Sequence, residues 1–166
     1  MRRLAAVLLM FALTACGVGG DPTPPLQATL PPPKPVITRK NMASLSCDDT
    51  KVHVPAEIPG LDDAGKFARL DSLRQRLKVR GRIWREDDER VYVGVVCGVH
   101  SAERFSTLVA RSTLTLYQGK PALRWITRTG MRNFMWLERP GTAVYIGATP
   151  GLATEIRLIA ADITAA

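Results

Sequence analysis

Cys47, His53, Cys97 and His100 are the residues of this 166-residue chain whose types invite a chemical reading. Two cysteines and two histidines make a familiar zinc ligand set, a thiol near an imidazole suggests a nucleophile beside its base, and two cysteines suggest a disulfide. Structural zinc sites favour tight ligand pairs separated by a loop, and this spacing fits that pattern poorly. The stretch "VVCGVHSAER", Val95–Arg104, reads as the end of a strand. Residues three apart on a strand point to opposite faces, so Cys97 and His100 chelate together only if the strand breaks at Gly98. The choice among these readings depends on the compartment.

The N-terminus addresses that directly. Arg2 and Arg3 form a short positive segment, and Leu4 to Leu13 is an unbroken apolar run of ten residues. This is the length of a secretory-signal core and well short of the ~20 residues a spanning helix needs. Leu13-Thr14-Ala15-Cys16 then resembles the lipobox of bacterial lipoproteins, in which a branched apolar residue and two small ones precede a cysteine. The resemblance implies that residues 1–15 are a signal peptide, cleaved before Cys16, and that the Cys16 thiol receives a diacylglycerol. It covers sixteen residues and implies nothing about the folded domain. Without it, the segment reads as an ordinary signal peptide cut after Ala15, leaving Cys16 free. The flanking residues fit general secretion better than the twin-arginine route. Two acyl chains on one cysteine suffice for stable anchoring. Every later apolar run is broken by arginine, glycine or proline, so the expectation is a chain anchored to the cell membrane by lipid and facing outside the cytoplasm.

Residues 16–40 read as a tether. Seven of the twelve prolines fall there, after three glycines. Such a segment favours extended polyproline II and reaches on the order of 50 Å at ~3 Å per residue. Residues 41–166 suit one globular domain that buries most of its unfolded surface. The stretch "CDDTKVHVP" suggests a strand with Val52 and Val54 on one face and His53 on the other. Ala64, Phe67, Ala68, Leu70, Leu73 and Leu77 recur at helical spacing and predict a helix over 62–78, capped by Asp62 or Asp63. Three hairpins are expected around "REDDE", Gln118-Gly119-Lys120-Pro121 and Arg139-Pro140-Gly141-Thr142. On the second strand of the first hairpin, Val91, Val93, Val95, Cys97 and Val99 share a face. Ser101 can cap a short helix through Phe105, Leu108 and Val109 within 101–112, where alternation also allows a strand. Thr149-Pro150 opens a closing helix that carries Leu152, Ile156, Ile159, Ala160 and Ile163. The expected fold is α+β: one antiparallel sheet of about six strands, a helix before it, room for one in the middle, and a C-terminal helix packed on the sheet.

An oxidising exterior favours pairing of Cys47 with Cys97 over free thiols or a metal site. Pairing removes the thiolate that Cys–His catalysis requires. The acids of "REDDE" read as a solvated turn with Arg85 and Arg90 as local counter-charges, because exposed carboxylates make poor acids at neutral pH. No P-loop, HExxH motif or nucleophile elbow is present, so no catalytic residue, cofactor or metal is assigned. Formal net charge is +8, and +6 once Arg2 and Arg3 leave with the signal. Arg124, Arg128 and Arg132 interleave with Trp125, Phe134 and Trp136. Inside a cell this pattern suggests nucleic acid. Outside the membrane the polyanions are lipid head groups and wall polymers, so Arg124, Trp125, Arg128, Arg132 and Trp136 form the candidate binding surface, although Trp125 and Phe134 also read as core. The leading expectation is a non-enzymatic binding domain for anionic envelope material or another envelope protein, with no nucleic acid partner. Two alternatives stand beside it. One is an envelope-acting enzyme with His100 as base; the other is a carrier of a small apolar ligand held between the sheet and the C-terminal helix.

Overall fold

The computed structural model describes residues 41–166. Its centre is a seven-stranded antiparallel sheet built from β3 (Asp62–Phe67), β4 (Val79–Glu86), β5 (Glu89–Val99), β6 (Thr113–Tyr117), β7 (Lys120–Ile126), β8 (Arg132–Arg139) and β9 (Gly141–Ala148). The strand order is β3-β4-β5-β9-β8-β7-β6. β9 occupies the middle, and all eight of its residues are buried. That explains its composition: "GTAVYIGA" lacks the polar alternation of a half-exposed strand because both faces of the sheet are covered.

The first face carries Val91, Val93, Val95, Cys97, Phe134, Trp136, Val144 and Ile146. A small sheet covers part of it, made of β1 (Met42–Cys47), β2 (Thr50–Pro55) and β10 (Thr164–Ala165) in the order β1-β2-β10. Helix α2 (Glu155–Asp162) covers another part through Ile156, Ile159 and Ala160. The second face carries Val96, Val99, Leu123, Met135 and Tyr145, covered by the short helix α1 (Ala102–Ser106) and by Leu70, Leu73 and Leu77. A disulfide joins Cys47, at the end of β1, to Cys97 on β5, with Cα atoms 5.3 Å apart. It ties the small sheet to the large one.

The α+β class holds, with antiparallel sheets, few helices and a C-terminal helix on the sheet. The three expected hairpins are β4–β5, β6–β7 and β8–β9. At the second, Gln118 and Gly119 both take positive φ (50° and 75°), the conformation a two-residue hairpin turn demands. Val52 and Val54 are buried and His53 is half-buried, as their alternation requires. Ser101 caps α1, its Oγ accepting the Arg104 N–H. The helical alternative therefore holds over 102–106, and a strand begins only at Thr113.

Four particulars differ. Thr149-Pro150 opens the short 3-10 turn Pro150–Leu152 without a side-chain cap, while the closing helix α2 starts at Glu155 and ends before Ile163. Among the described residues the strands number ten in two sheets, because segments before and after the main sheet pair into a second one. Residues 62–78 form no helix: Asp62–Phe67 is an edge strand paired with β4, bulged between Asp63 and Gly65, and an irregular stretch follows. The helically spaced side chains do find the core, since Phe67, Leu70, Leu73 and Leu77 pack on the second face. Long-range pairing with β4 outweighed local propensity there, helped by Gly65 at φ +109°, a poor helical residue. Finally, Val99 does not share a face with Cys97. A bulge at Gly98 (φ +85°) shifts the register against β9 and turns Val99 into the second core.

Candidate functional site

Helix α2 does not seal the first face completely. Between it and the β6–β7–β8 end of the sheet lies a cleft of about 970 Å³. Register places its floor: Thr113 pairs with Arg124 and Arg124 with Phe134, so these three share one face. Arg132 stands opposite Ile126 one row further along. Tyr117 continues the floor, its ring 5.3 Å from Phe134 and 5.0 Å from Trp136. The helix wall is built from Ile156, Arg157, Ala160 and Ala161, one side of α2.

Charge sets this cleft apart. Arg111, Arg124, Arg132 and Arg157 border it from four different segments, and among the described residues no aspartate or glutamate lines it. All four arginines are exposed. Among the described residues none of them has a carboxylate within ion-pair distance, the pairs being Arg69–Asp71, Arg82–Asp63 and Lys120–Glu138. The Arg124 guanidinium carbon lies 5.2 Å from the centroid of the Phe134 ring, a cation–π contact with the floor. Two nearby acids are otherwise placed. Glu138 accepts from Lys120 Nζ at 2.6 Å and from Trp136 Nε1 at 2.8 Å. Asp162, at the end of α2, has its carboxyl pushed above the usual range by burial. The Tyr117 hydroxyl is likewise raised, first by burial and then by the charges of Glu138 and Asp162. It stays protonated at neutral pH and is available as a donor.

The structure divides the five residues of the sequence-based surface. Arg124, Trp125 and Arg132 line the cleft. Trp125 does so from the margin, since it is 6 % exposed and belongs to the second core. Arg128 is exposed in the turn closed by the Thr127 and Met131 backbones and lies outside the cleft. Trp136 is a core residue at 2 % exposure, not a surface one. Sequence reasoning missed Arg111 and Arg157. Arg157 had a weak signal, lying beside Ile156 on the margin of an amphipathic helix. Arg111 had none, being brought in by the path of the chain before β6.

The opening cysteines and histidines separate. Cys47 and Cys97 are bonded to each other and hold no free thiol. His53 pairs across the small sheet with Ser44 and Thr164. His100 is exposed and lies against Gly141, where a Cβ would stand 3.6 Å from its ring. Among the described residues no group of three His, Cys, Asp or Glu is placed to hold a metal. At the "REDDE" tip Glu86, Asp87 and Asp88 are exposed, while Glu89 accepts the Gly151 N–H at 3.0 Å and so secures the short 3-10 turn Pro150–Leu152. No protein-family model, curated protein or solved structure matches the chain. Cys16, the residue expected to carry lipid, lies outside the described residues, as do the expected signal peptide and the expected tether, and among those described no helix is long and apolar enough to cross a membrane.

What the cleft offers chemically is therefore a set of unpartnered guanidiniums over an aromatic and aliphatic floor. That is the chemistry of anion binding with an apolar component.

Proposed function

We propose that this chain is a membrane-anchored envelope lipoprotein whose domain binds anionic envelope components outside the cytoplasm and carries out no catalysis of its own. Cys16 carries the lipid, residues 16–40 hold the domain off the bilayer, and the α2 cleft makes the contact. The single observation that supports this reading is the cleft's lining: four arginines from four segments and, among the described residues, no carboxylate. A concave site lined by cations of one sign focuses their field into a standing positive potential. The compartment part of the reading rests on the resemblance of Leu13–Cys16 to a lipobox.

The test uses the mature chain with Cys16→Ser, which keeps it in solution, and co-sediments it with envelope membranes. Association is expected to weaken as salt rises from about 50 to 500 mM, because the Debye length shrinks from ~14 to ~4 Å over that range. Binding that ignores salt, or no binding at all, refutes the proposal. The anchor is read separately from the intact mass of the wild-type chain recovered from membranes, which should show acylation of a chain that begins at Cys16.

A further inference from the structure

We infer that the α2 cleft takes a phosphate-bearing amphiphile, an organic phosphate whose head lies among the arginines and whose apolar tail runs along the aromatic floor and the helix wall. The inference rests on the binding reading above and narrows it to one ligand chemistry.

The head group follows from charge and geometry. A carboxylate brings one negative charge and two acceptor oxygens to Arg111, Arg124, Arg132 and Arg157. A phosphate monoester brings close to two charges and three acceptor oxygens at neutral pH. Guanidinium forks match phosphate oxygens in pairs, and arginine is the residue of choice where such recognition matters. Cations from β7, β8, α2 and the segment before β6 suit a tetrahedral group better than a planar one. The Tyr117 hydroxyl, protonated at neutral pH as any tyrosine is, adds a neutral donor.

The tail follows from what the cleft lacks. Its helix wall presents Ala160 and Ala161, with Ala153 just before the helix, where larger side chains would have closed the gap against Phe134 and Tyr117. The space left, about 970 Å³, lies near the upper end of small-ligand sites and far exceeds what a bare phosphate fills. The exposed surface lining it is mostly apolar. A methylene buried there strengthens binding up to roughly fourfold, so a tail of several carbons adds to what the head supplies.

The test titrates the mature Cys16→Ser chain by calorimetry with three soluble probes: octyl phosphate, inorganic phosphate and octanoate. Octyl phosphate is expected to bind at least tenfold tighter than either of the others. Arg124→Ala and Arg157→Ala should each weaken octyl phosphate about five- to tenfold, and both side chains are exposed, so the fold is kept. Ala161→Leu, at an exposed position on the helix wall, should weaken octyl phosphate and leave inorganic phosphate unchanged. Octanoate binding as tightly as octyl phosphate overturns the phosphate assignment. Inorganic phosphate binding as tightly overturns the tail. Indifference to both arginine substitutions, or no binding of any probe, overturns the site. The envelope co-sedimentation assay separates the two proposals. If association there persists and octyl phosphate does not compete, the ligand class fails while the binding reading stands; if association is also absent, both fail.

Discussion

Opening the Cys47–Cys97 disulfide is the perturbation whose cost can be worked most directly. The bond closes a loop of 50 residues. On the chain-entropy relation a loop of that length corresponds to about 4 kcal/mol of stability at 25 °C. With an unfolding entropy of ~2.1 cal/mol/K per residue over the described residues, that is a fall in Tm of about 15 °C. The placement of the bond says where the loss is felt first. Cys47 ends β1, and beyond the disulfide the small sheet is held to the large one mainly by buried side chains such as Val52 and Val54. Reduction should therefore accelerate amide exchange in β1 and β2 before β5 and β9 respond. The assay is a thermal melt followed by circular dichroism with and without reductant, repeated on Cys47→Ala/Cys97→Ala. Intact mass serves as the control and must show a gain of two hydrogens on reduction. The double variant should melt at or slightly below the reduced protein, since both sulfurs are buried and alanine leaves space behind. A fall below about 3 °C, or equal loss of protection across all strands, would refute the reasoning.

Gly94→Ala should cost roughly 2 kcal/mol, because its Cβ would stand 2.7 Å from the Arg80 carbonyl oxygen and 2.9 Å from the Phe67 ring; an unchanged urea midpoint speaks against that packing. Tyr145→Phe removes the hydroxyl that donates to Asn133 Oδ1 at 2.7 Å in a buried site, and the orphaned acceptor should lower stability by about 1–2 kcal/mol, with a loss under about 0.3 kcal/mol counting against it. Asp162 holds its proton more tightly when folded, because burial raises its pKa from 3.8. Its contribution is thus full below pH 3.8 and is lost as pH rises through the folded value. Asp162→Asn should flatten that part of the stability–pH curve and stabilise the protein at neutral pH; a curve that keeps its slope contradicts the assignment.

Much of the fold is legible in the sequence wherever a local rule carries the information. The glycine in Gln118-Gly119-Lys120-Pro121 marks a hairpin turn, which the structure narrows to Gln118 and Gly119, both at positive φ. The alternation of Val52, His53 and Val54 fixes which side faces the core, because side-chain direction on a strand has a period of two. The partnership of Cys47 and Cys97 follows from counting, once the leader is read as export to an oxidising compartment. Ser101 caps a helix start because its hydroxyl reaches an N–H that has no partner within the helix.

Other features depend on contacts far apart in the chain. The spacing of Phe67, Leu70, Leu73 and Leu77 satisfies a helix, yet the same residues reach the second core from an edge strand and an irregular stretch. Burial depends only on side chains arriving at the core, so the apolar pattern alone does not decide the backbone. Val99 leaves the face of Cys97 because pairing with β9 accommodates an extra residue at Gly98, which no window on β5 reveals. The candidate site shows the same division. Composition marked an arginine- and aromatic-rich segment, and Arg124 and Arg132 stand at the cleft. Trp136 lies beneath the surface, and Arg111 and Arg157 arrive from segments on either side of the hairpins. The sequence by itself determined which residues are charged, which strands turn back on each other and which cysteines are available to pair. The tertiary structure decided which charges face a common space, because that depends on where α2 settles on the sheet and on the small alanines that keep it from closing the gap.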